Sequence, residues 1–406
     1  MSVRLRGASV LLALVVSVFA GVAMIMPRTS AATTRIGFPP AGQIYHAVFP
    51  GGRTGEEDDI TPEDLESYEQ TVGKTAAWVY FSNNWYRDRH FPLATATWIR
   101  DSGSVPFIRL MLRDKPFRER NRHFTLDRII QGEFDSDLRA WAREARDFAS
   151  PLLVEYGTEV NGYWFPWNGR HNGRGTTDGY GDPMLPDGPE RFRDAYRHII
   201  DMMRQEGASN IMWAFHLNGN DHPDRRWNRF ENYYPGDDYI DWIGVSAYGA
   251  QTPMDKWCDD FRDIMDAAYP RVVAMARTKP IVVLEFGVTS GNPMCDQATW
   301  AEEALVDLIG FRWPTVIGFS WWNEAWQNDN KPEHDTNMRV QDNQALADVF
   351  QRLVGANENV LGRVLFIVVP NSELTSIPVL QPQTPHFPRP SNRGADSRRV
   401  VLMRGT

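Results

Sequence analysis

Short runs of β-branched and aromatic residues alternate, through the middle of the chain, with longer segments of helical period. The runs predict eight strands, at residues 43–49, 75–81, 105–112, 152–157, 210–215, 240–248, 280–286 and 316–322. The segments between them predict helices that include 62–71, 135–148, 189–205, 257–276 and 299–309. Strands that alternate with helices pair in parallel, so the pattern predicts an α/β fold, a single (β/α)8 (TIM) barrel.

An open, doubly wound sheet that binds a dinucleotide is the alternative arrangement of such units. The first predicted strand is followed by Phe49-Pro50-Gly51-Gly52-Arg53, which lacks the glycine spacing of a dinucleotide-binding loop. This absence favours the barrel.

The two ends of the chain differ from its middle. Arg4 and Arg6 precede an uncharged, mostly apolar run at 8–26, and small residues follow at 30–32. This pattern predicts a cleaved signal peptide at 1–32, hence a secreted protein with no membrane attachment after cleavage. An uncleaved membrane anchor is the alternative. The pattern places the folded domain at 33–355, and the proline-rich composition of 356–406 predicts a disordered tail.

Composition narrows the classes of function. The chain has 43 basic and 52 acidic residues and a net charge of −9, which disfavours nucleic-acid binding. Aromatic residues make up 12% of the chain, including 15 Trp, more than packing alone calls for. The two cysteines, Cys258 and Cys295, could form a disulfide in an exported protein or stay as two buried thiols.

Two glutamates stand at the ends of predicted strands, where a barrel carries its chemistry. Glu159 follows the fourth strand in a stretch rich in aromatic rings, and Glu285 is the only acid of the seventh strand. Each could be a salt-bridged structural residue. Two carboxyls in these places, however, are typical of the catalytic pair of a glycoside hydrolase. The distance between the two carboxyls decides whether the configuration at the anomeric carbon is retained or inverted, and the sequence does not give this distance.

Further residues near the strand ends are candidates for substrate binding. Trp164 and Trp167 lie in a loop broken by Pro and Gly and are predicted to stack on sugar rings. Tyr248 ends the sixth strand, where its hydroxyl could orient Glu285. His216 ends the fifth strand and is either a cleft residue or a buried histidine. The chain has no H-E-x-x-H pair, so we expect neither a catalytic metal nor another cofactor.

Three stretches, at 159–167, 233–244 and 279–287, resemble glycoside hydrolase family 26, a family of retaining (β/α)8 enzymes, and the likeness extends over about residues 40–355. The resemblance implies that Glu159 is the acid/base and Glu285 the nucleophile. It further implies that substrate binding or positioning involves the following residues: Asn161, Trp164, Tyr248, and Trp321 or Trp322 as the platform of the eighth strand.

The chain departs from the family pattern beside Glu159. Thr158 stands where the family usually has His, and Glu155 stands where it commonly has Arg. Glu155 shares the strand parity of Glu159, so it should point into the barrel and need a partner. The resemblance implies a monomeric endo-β-1,4-mannanase that acts on a polysaccharide. Mixed-linkage β-glucanase and β-1,3-xylanase are alternatives within the family, and a non-catalytic carbohydrate-binding barrel is an alternative of another class.

Overall fold

The computed structural model describes residues 32–115, 120–370 and 383. Eight parallel strands pair in chain order, and the first also pairs with the last, so the sheet closes into a barrel. They are β1 (Ile44–Phe49), β2 (Trp78–Asn84), β3 (Val105–Met111), β4 (Leu152–Tyr156), β5 (Ile211–Asn218), β6 (Trp242–Tyr248), β7 (Ile281–Gly287) and β8 (Val316–Trp322). The predicted (β/α)8 fold is confirmed, and each predicted strand overlaps one of these.

The helices lie between the strands and cover the barrel. They are α1 (Pro62–Val72), α2 (Leu93–Asp101), α3 (Leu126–Ile130), α4 (Asp135–Phe148), α5 (Asp187–Gln205), α6 (Phe261–Met275), α7 (Gln297–Ile309) and α8 (Gln344–Phe350), which continues as a π-helical turn at Gln351–Gly355. The start of α1 follows its sequence signals, since Thr61 caps the backbone N–H of Asp64 and Pro62 takes the first helical position. Gly73 ends this helix in the left-handed conformation.

Aromatic rings fill the barrel interior near the amino ends of the strands. Trp78 of β2 contacts Trp242 of β6, with ring centroids 5.7 Å apart, and Tyr45 of β1 lies edge-on to Trp78 at 6.3 Å. Because β2 and β6 are not neighbours in the sheet, these rings meet across the interior. Gly318 of β8 lies against them, and a side chain there would overlap Trp78. This part of the aromatic excess is barrel packing.

Ordered structure continues past residue 355, so the prediction of disorder from 356 onward is wrong for 356–370. Val360–Leu361 pairs in parallel with β1, and Phe366–Pro370 pairs antiparallel with Ala32–Ile36. The ribbon formed by the latter two strands is attached to the barrel by Arg35, whose guanidinium forms a 2.5 Å ion pair with Asp241. The predicted signal peptide and the rest of the predicted tail, apart from Gln383, lie outside the described residues.

Two further features bear on the sequence predictions. Cys258 and Cys295 form a disulfide that links the loop after β6 to the loop after β7. Within 32–115, 120–370 and 383, no helix is long and apolar enough to cross a membrane.

Candidate active site

The chain leaves β4 through a strained turn that carries Glu159. Gly157 has φ 79°, and a Cβ at this position would overlap the Phe192 ring. Glu159 itself has φ 48°, in the left-handed region that non-glycine residues seldom adopt. The turn is held by hydrogen bonds from Gly162 N to the Glu159 carbonyl, 2.7 Å, and from the Trp167 indole to the Thr158 carbonyl, 2.8 Å. Strain maintained by surrounding contacts is a common feature of functional sites.

The carboxylate of Glu159 accepts hydrogen bonds from two neutral groups. The Trp164 indole donates to Oε2 at 2.6 Å, and the Asn218 amide donates to Oε1 at 3.0 Å. Trp164 is half-buried, and its ring lies 5.5 Å from that of His222. The sequence predicted that Trp164 would lie near Glu159. It did not predict Asn218, the last residue of β5.

Glu285 lies on β7, directly after Leu284, where the pairing register with β6 shifts, and its contacts differ in kind from those of Glu159. Tyr248 donates to Oε2 at 3.0 Å, as the sequence analysis expected, and Tyr80 donates to Oε1 at 3.2 Å. The Arg109 guanidinium lies 3.8 Å from Oε1. Burial raises the pKa of Glu285 to about 7, against the opposing charges of Arg109 and His216. The charge of Glu159 also raises the pKa of Glu285. Arg109, which lies 3.8 Å from Glu285, donates to Thr158 next to Glu159, so the two carboxyls belong to one site.

Glu155 lies below these residues and is completely buried. Its Oε1 accepts hydrogen bonds from Tyr80, at 2.6 Å, and from Thr158, at 2.5 Å, and its Oε2 lies 2.9 Å from the His216 imidazole. Burial alone would raise the pKa of Glu155, but His216 and Arg109 hold it below its usual value. Burial likewise opposes charge on His216, yet Glu155 raises the pKa of this imidazole. The expectation that Glu155 would point inward to a partner is confirmed.

Arg109 is the cation that connects these acids. Its Nε donates to Thr158 at 3.2 Å, and its guanidinium lies 3.4 Å from Glu57. The Tyr80 and Trp322 rings flank it, each 5.4 Å from the guanidinium carbon. Sequence reasoning missed Arg109 and Tyr80. The available signal for Arg109 was a single charge within the apolar third strand, since such a charge needs partners.

The sequence model for glycosyl hydrolase family 26 matches residues 127–346, which is more than half of the chain. The chain belongs to glycosyl hydrolase family 26. The match includes both Glu159 and Glu285.

Individual proteins similar to this family 26 chain are distant in sequence. Endoglucanase H of Acetivibrio thermocellus is 25% identical over 280 residues, or 66% of this chain. The mannan endo-1,4-beta-mannosidase of Bacillus subtilis is 22% identical over 268 residues, or 65% of this chain. The matched regions span 28% and 59% of the lengths of these two relatives. A solved Bacillus subtilis mannanase aligns with a TM-score of 0.51 at 15% identity, over 77% of this chain and 86% of that one, which supports the fold.

Two tryptophans predicted as sugar platforms are buried instead, and for these the prediction is wrong. Trp167 is 1% exposed and stacks on Phe165 with ring centroids 4.7 Å apart. Trp321 is 0% exposed, and its indole donates to the Met338 carbonyl at 2.8 Å. Neither ring can stack on a sugar in this family 26 chain.

Trp322, the neighbour of Trp321, is on the site's side of β8. It stacks on Phe49 with ring centroids 3.9 Å apart, flanks Arg109, and donates to Glu324 at 3.0 Å. Successive side chains of a strand point to opposite faces, so only one member of the pair can face the site. Of the two tryptophans that the sequence left open, Trp322 is the one that faces the site, although it is only 7% exposed. Its role as a sugar platform stays a prediction.

Asn161 and His216 are also buried rather than free to bind a substrate. The prediction that Asn161 binds substrate is corrected, and of the two alternatives for His216 the structure shows the buried histidine. The Asn161 amide donates to the Asn218 and Asn220 carbonyls and to Asp221, and its oxygen accepts from the Asn218 backbone. These bonds use Asn161 to shape the loop beside Glu159. His216 lies between Glu155 and Ser246, with 2.7 Å from its Nε2 to the serine hydroxyl.

Acidic residues and histidines are numerous around this site, but they do not form a metal-binding group. Within the part of the chain that the structure describes, no cluster of three or more His, Cys, Asp or Glu side chains is arranged to hold a metal ion. The positive charge beside Glu285 is the Arg109 guanidinium, 3.8 Å from its carboxylate.

Proposed function

We propose that this chain is a retaining glycoside hydrolase that cleaves a β-glycan, with Glu159 as the general acid/base and Glu285 as the nucleophile. One observation carries the proposal: two carboxyls, one after β4 and one on β7, lie at one end of a family 26 barrel, where Arg109 contacts both Glu285 and Thr158, the neighbour of Glu159. Paired carboxyls flanking a sugar bond are the standard means of glycoside hydrolysis.

The proposed reaction has two displacements. In the first, the Glu285 carboxylate attacks the anomeric carbon while the protonated Glu159 carboxyl gives its proton to the leaving oxygen. This breaks the glycosidic bond and forms a glycosyl ester on Glu285. In the second, the Glu159 carboxylate takes a proton from water, the water oxygen attacks the anomeric carbon, and the Glu285 carboxylate leaves. Both carboxyls return to their starting states.

The contacts of each carboxyl fit its proposed role. Tyr248 donates to one oxygen of Glu285, and the Tyr80 hydroxyl, which Glu155 shares, lies 3.2 Å from the other. These contacts fix the carboxylate for attack. Trp164 and Asn218 each donate to one oxygen of Glu159, which holds this carboxyl in a fixed orientation. Trp164 and Trp322 are the proposed aromatic platforms for sugar rings.

We propose β-1,4-mannan as the substrate and endo cleavage as the mode. The Bacillus subtilis mannosidase supports this choice. Mixed-linkage β-glucan is a second candidate, because Endoglucanase H is 25% identical to this chain. The departures of Glu155 and Thr158 from the usual family pattern are a second reason to test another sugar. A beta-1,3-xylanase of a Vibrio species matches 30% of this chain at 24% identity, so β-1,3-xylan belongs in the assay.

Residues 33–406 are incubated with mannan, mixed-linkage glucan, β-1,3-xylan and cellulose, and reducing ends and viscosity are measured. We expect most reducing ends from mannan, with an early fall in viscosity that indicates endo cleavage. Release from glucan instead would select the second candidate. Binding without release from any substrate would contradict hydrolysis and support a carbohydrate-binding barrel. A Glu285→Gln preparation controls for contaminating enzymes.

We also propose that the protein is exported as a monomer after removal of residues 1–32. To test the cleavage, the full chain is expressed in a secreting host, and the protein recovered from the culture medium is sequenced from its N-terminus. A new terminus near residue 33 is expected, and a protein retained in the membrane with an intact terminus would contradict it. Light scattering of the secreted protein tests the monomer.

A further inference from the structure

Two buried carboxylates, Glu155 and Glu285, share the same two donors. The Tyr80 hydroxyl lies 2.6 Å from Glu155 and 3.2 Å from Glu285. The Arg109 guanidinium lies 3.8 Å from each of them, through Nε on the Glu155 side and Nη2 on the Glu285 side. The interactions of Tyr80 and Arg109 with one carboxylate are therefore made in competition with the other.

The Tyr80 hydroxyl has one proton and cannot donate fully to both acids. The shorter distance favours donation to Glu155, which turns the lone pairs of the phenol oxygen toward Glu285. A protonated Glu285 can donate to those lone pairs, whereas an ionised Glu285 has to draw the Tyr80 proton away from Glu155. The arrangement therefore favours the protonated form of Glu285.

The charged and titratable groups around Glu285 come from several strands. They are Tyr80 on β2, Arg109 on β3, Glu155 on β4, Glu159 after β4, His216 on β5 and Tyr248 on β6. Arg109 and His216 favour the ionised form, and the two other glutamates oppose it. Glu155 binds both of these cations, so part of their charge is already neutralised.

We propose that Glu155 is a positioning residue that competes with Glu285 for the Tyr80 hydroxyl and for Arg109, and thereby makes Glu285 a more basic carboxylate. The inference rests on the proposed function, in which Glu285 is the nucleophile. A more basic carboxylate is a stronger nucleophile, as long as it is ionised. The best pKa for a catalytic group therefore lies near the working pH. Glu155 acts through Tyr80 and Arg109 and need not touch the substrate.

The experiment measures the ionisation of Glu285 directly, without substrate. Glutamate carboxyl carbons are labelled with carbon-13, and the protein is titrated by NMR. The Glu285 signal is assigned by its loss in Glu285→Gln. In Glu155→Gln we expect the Glu285 midpoint to fall by about one pH unit, because Tyr80 and Arg109 then serve Glu285 alone. This effect has to exceed the opposing loss of charge on His216, whose pKa is raised by Glu155. An unchanged or higher midpoint would overturn the proposal.

Two further variants test the route. In a Tyr80→Phe background, Glu155→Gln should move the Glu285 midpoint by less than half as much, whereas an equal shift would exclude Tyr80 as the link. Thr158→Val removes the 2.5 Å hydrogen bond to Glu155 and leaves that carboxylate a stronger competitor for Tyr80. The Glu285 midpoint should then rise, so this variant remains a test if Glu155→Gln does not fold.

Activity assays separate this inference from the proposed function. If the wild-type protein hydrolyses a glycan, the acid limb of its pH profile should move to lower pH in Glu155→Gln, in parallel with the NMR midpoint. A residue that only supported the fold would lower the yield of protein and leave that limb in place. If no glycan is hydrolysed but the midpoint falls, the proposed function fails while the competition between Glu155 and Glu285 stands.

Discussion

Glu159 and Glu285 are the same residue type at the same end of one barrel, yet their surroundings differ. Glu285 lies within a strand of the barrel, beside a buried cation and two tyrosine hydroxyls. Glu159 lies on a strained turn outside its strand and is held by an indole and an amide. The first environment is built of charges fixed by the barrel, and the second of neutral donors fixed by a loop.

This difference indicates how one site can give two carboxyls separate tasks. A nucleophile must return to the same place after every cycle, which the rigid strand and the paired tyrosines ensure. An acid/base must reach the leaving oxygen in a fixed orientation, which the indole and amide donors on the loop ensure. The comparison therefore predicts different sensitivities of the two carboxyls to substitution, pH and loss of their partners.

Replacement of Glu285 should have the largest effect. Glu285→Gln removes the attacking oxygen without a change of shape, so kcat should fall by about 10⁴-fold or more on every active substrate. Glu333→Gln, an exposed substitution of the same type, is the matched control and should keep wild-type activity. Steady-state rates at substrate saturation measure the difference. A loss below about tenfold would exclude Glu285 as the nucleophile.

Replacement of Glu159 should have a smaller effect that depends on the leaving group. Glu159→Gln should lower kcat on a polysaccharide by about 10²–10⁴-fold, since general acid catalysis is lost. On an aryl glycoside whose leaving group needs no proton, formation of the glycosyl ester should be nearly unaffected. Azide, which needs no base, should then speed turnover of the variant. Equal loss on both kinds of substrate, without rescue by azide, would contradict the acid/base role.

The pH profile of activity tests how the surroundings of Glu285 affect its ionisation. Burial raises the pKa of Glu285 to about 7, so the attacking carboxylate is lost as the pH falls below that value. We expect kcat/KM to rise with pH through a midpoint near 7 and to decrease about tenfold for each unit below it. A profile that stays flat down to pH 5 would show that Glu285 remains ionised in the free protein.

Loss of a single hydrogen bond should have the smallest effect. Tyr248→Phe removes a bond to Glu285, and Trp164→Phe removes a bond to Glu159 while keeping an aromatic ring. In the proposed first displacement Glu285 is charged and Glu159 is protonated, and hydrogen bonds to charged groups are worth more, so Tyr248→Phe should lower kcat about tenfold. Trp164→Phe should lower it by less. The reverse order, measured at the pH optimum, would contradict the assignment of roles.

The barrel could be predicted because each strand is a compact apolar run between polar, helix-forming segments. Glu285 was recognisable for the same reason, as a lone acid in such a run. The directions of Trp321 and Trp322 were not recognisable, because both faces of a barrel strand are buried and the alternation of polar and apolar residues disappears. Their assignment needs three-dimensional contacts.

Two other errors come from interactions that connect distant parts of the chain. Trp167 lies in a loop with the composition of a binding surface, but its indole supports the strained turn at Thr158 and Glu159. Phe366–Pro370 pairs with Ala32–Ile36 from the opposite end of the described chain, so its local sequence gave no sign of a partner. Tyr80 and Arg109 acquire their roles in the same way, by meeting Glu155 and Glu285 inside the barrel.

The most direct test of the account traps the intermediate on the proposed nucleophile. A 2-deoxy-2-fluoro glycoside with a good leaving group, made from the sugar that the substrate assay identifies, slows release of the glycosyl ester. Peptide mass spectrometry of the inactivated protein then locates the sugar. The account predicts one fluoroglycosyl group, attached to Glu285. Attachment to Glu159 would contradict the assignment of the two carboxyls.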